Sequence, residues 1–441
     1  MDTPTQREPS AGYAWYVVGV LTLASISGNV DQQVLSLLVR PIERDFGITD
    51  VQMSYLLGLA FALFFAVLGL PIARLADRSN RRNIMATGVG LWSVFTTLCA
   101  SARTFGRLLA LRVGVGVGEA TLSAPSVSLL ADYFPRERLG RAMGVYSLGI
   151  FLGSGVAYFL SGVVVGLLDV PGTRTVPLLG DIRPWQSVFL AVGLPGFLIA
   201  LLFLTVREPV RRDTPADAPA LPLRVLLRYV RDNRRTFATH SFGFAMSGLV
   251  NFALVAWLPT FFLRTYGMTE SATGKAMGLM TMSIGVVGVL AGGWAADWFV
   301  ARGRVDGPLR VGIIGAVGML VSTTALALMP TAGLALVWLG VVNFFAAFPW
   351  GAASAAAAEI VPAPLRAQGA ALYFFVLSLV SRTAGPTAVA WCAEHVFSGR
   401  TAVGHALATV NVISMSIAIA LFLAGLGSYR ATLEHRERWA A

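Results

Sequence analysis

"SGNVD" at Ser27–Asp31 returns as "SGLVN" at Ser247–Asn251, and "RDFGITD" at Arg44–Asp50 returns as "RTYGMTE" at Arg264–Glu270. Both pairs lie 220 residues apart. The same spacing carries "LAD", ending at Asp77, onto "AAD", ending at Asp297. "ADYFP" at Ala131–Pro135 comes back as "AEIVP" at Ala358–Pro362, seven residues later than that spacing requires, so one loop of the second copy has grown. A register held across so much of the chain implies an internal duplication whose two copies run in the same direction.

Hydropathy says what is duplicated. Of 441 residues, 56% are hydrophobic and 13% charged, and the mean hydropathy is +0.69. A soluble domain is about one-quarter charged. A bilayer core needs about 20 apolar residues per helix. Runs that meet this lie at 14–38, 51–73, 84–102, 107–130, 139–168, 185–206, 238–263, 273–299, 310–330, 333–357, 368–392 and 402–428. Backbone groups in lipid need partners within the chain, so the runs are predicted to be helices. The alternation of a strand barrel is absent. The prediction is an all-α membrane protein with twelve transmembrane helices in two parallel six-helix repeats. Residues 1–206 form the first half, 207–237 a basic cytoplasmic linker, and 238–441 the second half with a short cytoplasmic tail. The first run follows a polar dozen residues and precedes eleven more spans, so it reads as a retained span rather than a cleaved signal.

The net charge of +11 raises the question of a nucleic-acid partner, and its placement answers it. Of 34 Lys and Arg, 23 fall in the termini and even-numbered connections. The positive-inside rule then puts both termini in the cytoplasm, and no nucleic acid is expected. The linker holds Arg207, Arg211, Arg212, Arg224, Arg228, Arg231, Arg234 and Arg235, interleaved with leucines. It reads either as a solvated connection or as an amphipathic segment on the anionic inner leaflet. Cys99 and Cys392 lie in apolar runs, and the four His are scattered, so no disulfide or metal framework is expected. No phosphate-cradling loop, nucleophile–base pair or metal cluster appears. An enzyme and a cofactor are therefore not expected.

"LALRVGVGVGEATLSAP" at 109–125 sets Arg112 and Glu119 inside an apolar run. The glycines have the wrong spacing for a dinucleotide fingerprint; Gly114 and Gly118 are four apart, as in close helix packing. Seven residues is about two helical turns, so both charges face one side, about 10 Å apart. A charge at membrane depth costs several kcal/mol or more unless paired or hydrated. Counting rises along antiparallel helices puts Asp31 at about the depth of Arg112, with Glu119 deeper. One reading is a structural bridge locking two helices. The other is a coupling device in which Arg112 arbitrates between carboxylates that exchange a proton. The second repeat carries Asn251 where the first has Asp31, which favours the second reading.

Two parallel six-helix halves joined by a basic loop resemble the major facilitator superfamily. "ARLADRSNRR" at Ala73–Arg82 resembles that family's loop signature, with Asn80 and Ala73 where Gly is usual. Arg112 followed by Gly116 and Ala120 resembles its helix-4 pattern. "R-x-G-x-G-x-G-E-A" with Glu119, together with Asp31, is similar to the spinster family of lipid transporters. The resemblance implies a secondary transporter, working by alternating access, for an amphiphilic lipid of lysophospholipid or sphingoid-phosphate type, with proton coupling. Small organic anions or hydrophobic drugs, and passive uniport, are the alternatives. Asp31, Arg112 and Glu119 are the expected coupling site. Asn251, Phe252, Asn343, Tyr373 and Arg382 are expected around the substrate, with Arg382 either binding an anionic headgroup or snorkelling outward. The aromatic residues of helices 7, 10 and 11 read either as cavity wall or as packing. Asp77, Arg78, Arg81, Asp132, Arg138, Asp297 and Glu359 are expected to form a cytoplasmic gate. The protein is expected to be a monomer in a bacterial inner membrane.

Overall fold

Each copy of the repeated motif is a helix stop followed by a helix start. Gly47 and Gly267 take the left-handed conformation, φ 63° and 68°, and end the preceding helix. Two residues on, Thr49 accepts from the Gln52 amide and Thr269 from the Ala272 amide, capping the next helix. Asp50 and Glu270 then occupy first turns, where the helix dipole favours negative charge.

The computed structural model describes residues 10–60, 67–68, 71–72, 75–76, 79–134, 136–168, 174–176, 180–209, 223–362 and 365–440. α1 (Ala11–Leu37) and α2 (Val39–Phe46) lead to α3 (Asp50–Ser54), which continues as a π turn at Tyr55–Leu59. α4 (Arg81–Cys99), α5 (Phe105–Glu119), α6 (Ser123–Tyr133), α7 (Arg136–Leu168) and α8 (Pro184–Thr205) follow. Between α7 and α8 lies a short antiparallel hairpin, β1 (Arg174–Val176) with β2 (Gly180–Ile182). α9 (Leu223–Asp232) precedes α10 (Arg234–Tyr266) and α11 (Glu270–Met280). A second π turn at Thr281–Gly285 leads into α12 (Val286–Ala301). Then come α13 (Gly307–Ala327), α14 (Ala332–Ala347), α15 (Trp350–Glu359), α16 (Arg366–His395) and α17 (Ala402–Ala440).

Every predicted span falls on helix, the second within the described residues only in part. Eight helices among the described residues are long and apolar enough by themselves to cross a membrane. The run 84–102 is diluted by polar residues at the start of α4. That at 139–168 is most apolar over Leu152–Leu168 of α7. The run 107–130 is not one helix: it breaks at 120–122, directly after Glu119. Pro125 supplies the reason. Its ring would clash with the Thr121 carbonyl in a continuous helix, whereas it is tolerated in the first turn of α6.

The duplication dictates how the halves meet. α7 packs on α11, and α3 with its π turn packs on α16. Exchanging the halves converts one contact into the other. Small residues bring the backbones close: a Cβ on Gly274 would lie 2.7 Å from the Gly162 Cα, and one on Gly58 2.3 Å from the Arg382 carbonyl oxygen.

Ion pairs seal the bundle end remote from the termini. Arg264 at the end of α10 forks onto Asp50, with both bonds 2.6 Å, and reaches Glu43 of α2 at 2.8 Å. Arg40 donates to the Leu263 carbonyl, and the Val51 amide to Glu394. Arg264 and Asp50 are thus a latch built from opposite copies of one motif. Their counterparts, Arg44 and Glu270, line a groove on the same end.

At the terminal end, the described ion pairs tie one half to itself or to the start of the linker. Arg81, 1% exposed, bridges Asp132 at 2.5 Å and Glu208 at 2.7 Å. Asp306 is held by Arg310 and Arg430. The described part of the linker favours neither reading alone. α9 buries Leu226 and Tyr229 against the second half, with the Tyr229 hydroxyl on the Ile360 carbonyl, while Arg224, Leu227, Arg228 and Arg231 stay exposed.

Candidate functional site

A cavity of about 230 Å³ lies between the halves, below the sealed end. Its polar wall includes Asn29, Gln32 and Arg112 from the first half and Asn251, Asn343 and Arg382 from the second. Apolar helices place these groups because the alternative faces meet lipid or packed neighbours, where a polar side chain without a partner costs about 1–3 kcal/mol or more.

Asp31 and Arg112 form the pair expected from their depths. Arg112 Nη1 donates to Asp31 Oδ2 at 2.8 Å, and both side chains are 2% exposed. Thr96 of α4 donates to Asp31 Oδ1 at 2.9 Å, so both carboxylate oxygens are occupied. Three helices thereby converge on one carboxylate. Breaking such a buried pair by removing one partner costs about 3–5 kcal/mol.

Glu119 has a partner that the sequence reading did not supply. It is not bonded to Arg112. Gln32 Nε2 donates to Glu119 Oε2 at 2.6 Å, while Glu119 Oε1 and Arg112 Nε are buried and without hydrogen bonds among the described residues. Gly28 lies beside this carboxylate: a Cβ there would rest on Glu119 Oε2 at 3.5 Å, an ordinary contact. The other end of the Gln32 amide faces the second half, where Arg382 Nη1 donates to Gln32 Oε1 in a long bond of 3.4 Å. Arg382 also lies 4.3 Å above the Phe252 ring. It points into the cavity and does not snorkel outward. Asp31, Arg112, Glu119 and Arg382 in their ionised forms sum to zero charge.

Sequence reasoning missed Gln32. The signal was present, since "DQQ" at Asp31–Gln33 interrupts an apolar run. Position 32 also corresponds to Phe252 in the duplication, and both residues hold Arg382.

The remaining predicted residues divide. Asn251, Phe252 and Asn343 line the cavity, and Thr281 donates to Asn343 Oδ1 at 3.0 Å. Tyr373 lies in a small adjoining pocket with Phe244, Trp350 and Phe374. Phe344 and Phe348 pack against α12, and Phe242 is exposed, so part of the aromatic stripe is packing. Asp77 and Arg78 lie outside the described residues, as does the Arg138 side chain. Asp132 takes Arg81 as its partner. Asp297 is exposed. Glu359 accepts from the Tyr429 hydroxyl at 3.1 Å.

With this geometry in hand, comparison with known proteins is informative. Residues 21–386 match the family model of the Major Facilitator Superfamily. The chain belongs to that superfamily. An MFS-type efflux pump of Mycolicibacterium smegmatis is 30% identical over 66% of this chain and 64% of its own length. Protein spinster of Drosophila melanogaster is 26% identical over 71% of this chain and 50% of its own. A probable L-galactonate transporter of Escherichia coli is 24% identical over 64% of this chain and 62% of its own. The matched region therefore spans between half and two-thirds of these relatives. A bacterial homologue of the human lysosomal transporter spinster, solved in an inward-facing and unoccupied conformation, superposes with a TM-score of 0.79 at 25% identity, covering 98% of this chain and 99% of that one. The protein is thus a multi-pass membrane protein of the superfamily, close to spinster proteins, and its helices follow the superfamily's twelve-span plan.

Proposed function

We propose that this protein moves an amphiphilic lipid of lysophospholipid or sphingoid-phosphate type by alternating access, coupled to protons through Asp31, Arg112 and Glu119, with both termini in the cytoplasm. The observation that carries the coupling is the buried carboxylate Glu119, whose Oε1 has no hydrogen-bond partner among the described residues and which lies two helical turns from the Arg112 that pairs with Asp31. A buried carboxylate oxygen left without a donor is a place where a proton can be taken up during the transport cycle. The likeness to spinster proteins supports the lipid class.

The test is uptake into proteoliposomes with and without a pH gradient, scored against the yield of monodisperse protein. Glu119→Gln keeps shape and removes titration. It should retain binding and lose the part of transport that responds to the gradient, and Asp31→Asn should do the same. Full gradient-driven uptake by both variants would refute proton coupling and leave a uniporter braced by a salt bridge. Loss of folded protein in parallel with activity would support the purely structural bridge.

A second reading is a small organic anion, such as a sugar acid. The cavity volume of about 230 Å³ favours it, because that space takes a headgroup or a small acid but not an acyl tail as well. On the lipid reading, the tail extends past the Tyr373 pocket between helices. Competition by a lysolipid against a sugar acid in the same vesicles separates the two.

A further inference from the structure

Gln32 sits where the halves exchange information. Its amide nitrogen is on Glu119 in the first half, and its amide oxygen is on Arg382 in the second. The two contacts are not independent, because they come from opposite ends of one planar group. We infer that Gln32 is a positioning residue through which an anionic group of the substrate, on reaching Arg382, brings a proton onto Glu119. The inference rests on the proton-coupled reading above and adds the path by which substrate is sensed.

The physical reason is the dual character of an amide. An amide N–H donated to a carboxylate favours the ionised form; an amide oxygen accepting from a carboxylic acid favours the protonated form. While Arg382 holds Oε1, only the N–H end is left for Glu119. An anion that engages the guanidinium, in either substrate class a phosphate or carboxylate, competes for those donors. Gln32 can then turn its oxygen toward Glu119. A hydronium ion from the water that reaches the cavity is the donor: its O–H bond breaks as the O–H bond on Glu119 forms, and neutral water is left. One anion enters with one proton, and the charge of the occupied site stays as it was.

The surroundings permit this. Asp31 on α1 and Arg112 on α5 flank Glu119 and neutralise one another at 2.8 Å. α4 contributes Thr96 and the buried Cys99 on the Asp31 side. Arg382 on α16 is a cation of the second half that lines the cavity, and Phe252 holds it from below. The helix bearing Arg382 also meets the π turn at Gly58 through the Arg382 carbonyl, so the residue that carries the guanidinium stands at the contact between halves.

The experiment follows protons directly. Purified full-length protein in weak buffer near pH 7 is mixed with lysophosphatidylglycerol in mixed micelles or, separately, with glucuronate. A pH-indicator dye reads proton uptake, and tryptophan fluorescence reads binding, since Trp350 lines the cavity. The parent should take up about one proton per anion bound, with whichever probe it accepts. Gln32→Leu should bind that probe and take up protons no faster than background, as should Glu119→Gln. Gln32→Met is run alongside, so the outcome does not hang on one variant's folding. If both Gln32 variants take up protons as the parent does while Glu119→Gln does not, the relay is wrong and the coupling reading survives. If the parent takes up none, both fall. If neither probe binds the parent, or Arg382→Leu binds as well as the parent, no anion is sensed at Arg382 and the relay is overturned. Response to the micellar probe alone assigns the anion to a lipid headgroup; response to glucuronate alone assigns it to a small acid.

Discussion

Replacing Arg264 by alanine should loosen the sealed end and expose the cavity there. The guanidinium makes three charge-assisted bonds across the halves, two to Asp50 at 2.6 Å and one to Glu43 at 2.8 Å. Arg264 is 25% exposed, Glu43 15% and Asp50 11%, so water weakens the contact without abolishing it. A charged hydrogen bond contributes about 1.5–3 kcal/mol when buried, and an exposed pair below about 1. The set is then worth about 3 kcal/mol, which is about a hundredfold in the ratio of closed to open. The close packing of Gly162 on Gly274 and the Arg40 and Glu394 contacts remain, so the variant opens more often without staying open. The assay uses a background with Cys99 and Cys392 changed to serine and one cysteine introduced at Asn251 in the cavity. An impermeant maleimide is added to either face of oriented vesicles. Arg264→Ala should raise labelling from the sealed face and lower it from the other. Unchanged labelling on both faces, with normal yield of folded protein, would show that the latch does not hold this state and that helix packing alone seals it.

The same latch should respond to pH. Burial, and a hydrogen bond with Asp50, push the Glu43 carboxyl up to about 8, while Asp50 is held below its ordinary value by the Arg264 and Glu43 bonds despite its own burial. Once the end opens, water returns Glu43 toward the ordinary carboxylate range. A carboxyl raised in the closed form stabilises that form at low pH, and the stabilisation is lost as pH rises through about 8. Labelling from the sealed face should therefore climb between pH 6 and 9, and Glu43→Gln should flatten the curve; a parent with no slope over that range would end the idea. Arg81→Ala removes a 1% exposed cation from Asp132 and Glu208 and should destabilise the first half by about 3–5 kcal/mol, read as a lower melting temperature in detergent, whereas an unchanged melt would mean that the bridge is dispensable. Gly274→Val adds bulk where a Cβ already lies 2.7 Å from the Gly162 backbone, so it should hinder sealing and raise Asn251-site labelling from that face; transport and labelling like the parent would show that α7 and α11 can separate without consequence.

Much of this was legible before any coordinates. The 220-residue spacing, the twelve apolar runs and the stop–start motif are local or periodic properties, and hydropathy and capping chemistry are enough to read them. The Asp31–Arg112 pair was legible too, since helix rise converts sequence number into depth and a buried charge demands an opposite one at the same level. The break after Glu119 was written in Pro125 but hidden by an unbroken hydropathy. What only the tertiary structure decided is which polar group meets which across the two halves. Arg382 reaches Gln32 over 350 residues of chain, Arg264 chooses Asp50 and Glu43, and Asp132 takes Arg81. Those choices depend on the rotation and tilt of packed helices, set by small residues such as Gly58, Gly162 and Gly274 at their crossings. A shift of one residue in that packing would present a different side chain to the cavity while leaving every apolar run intact.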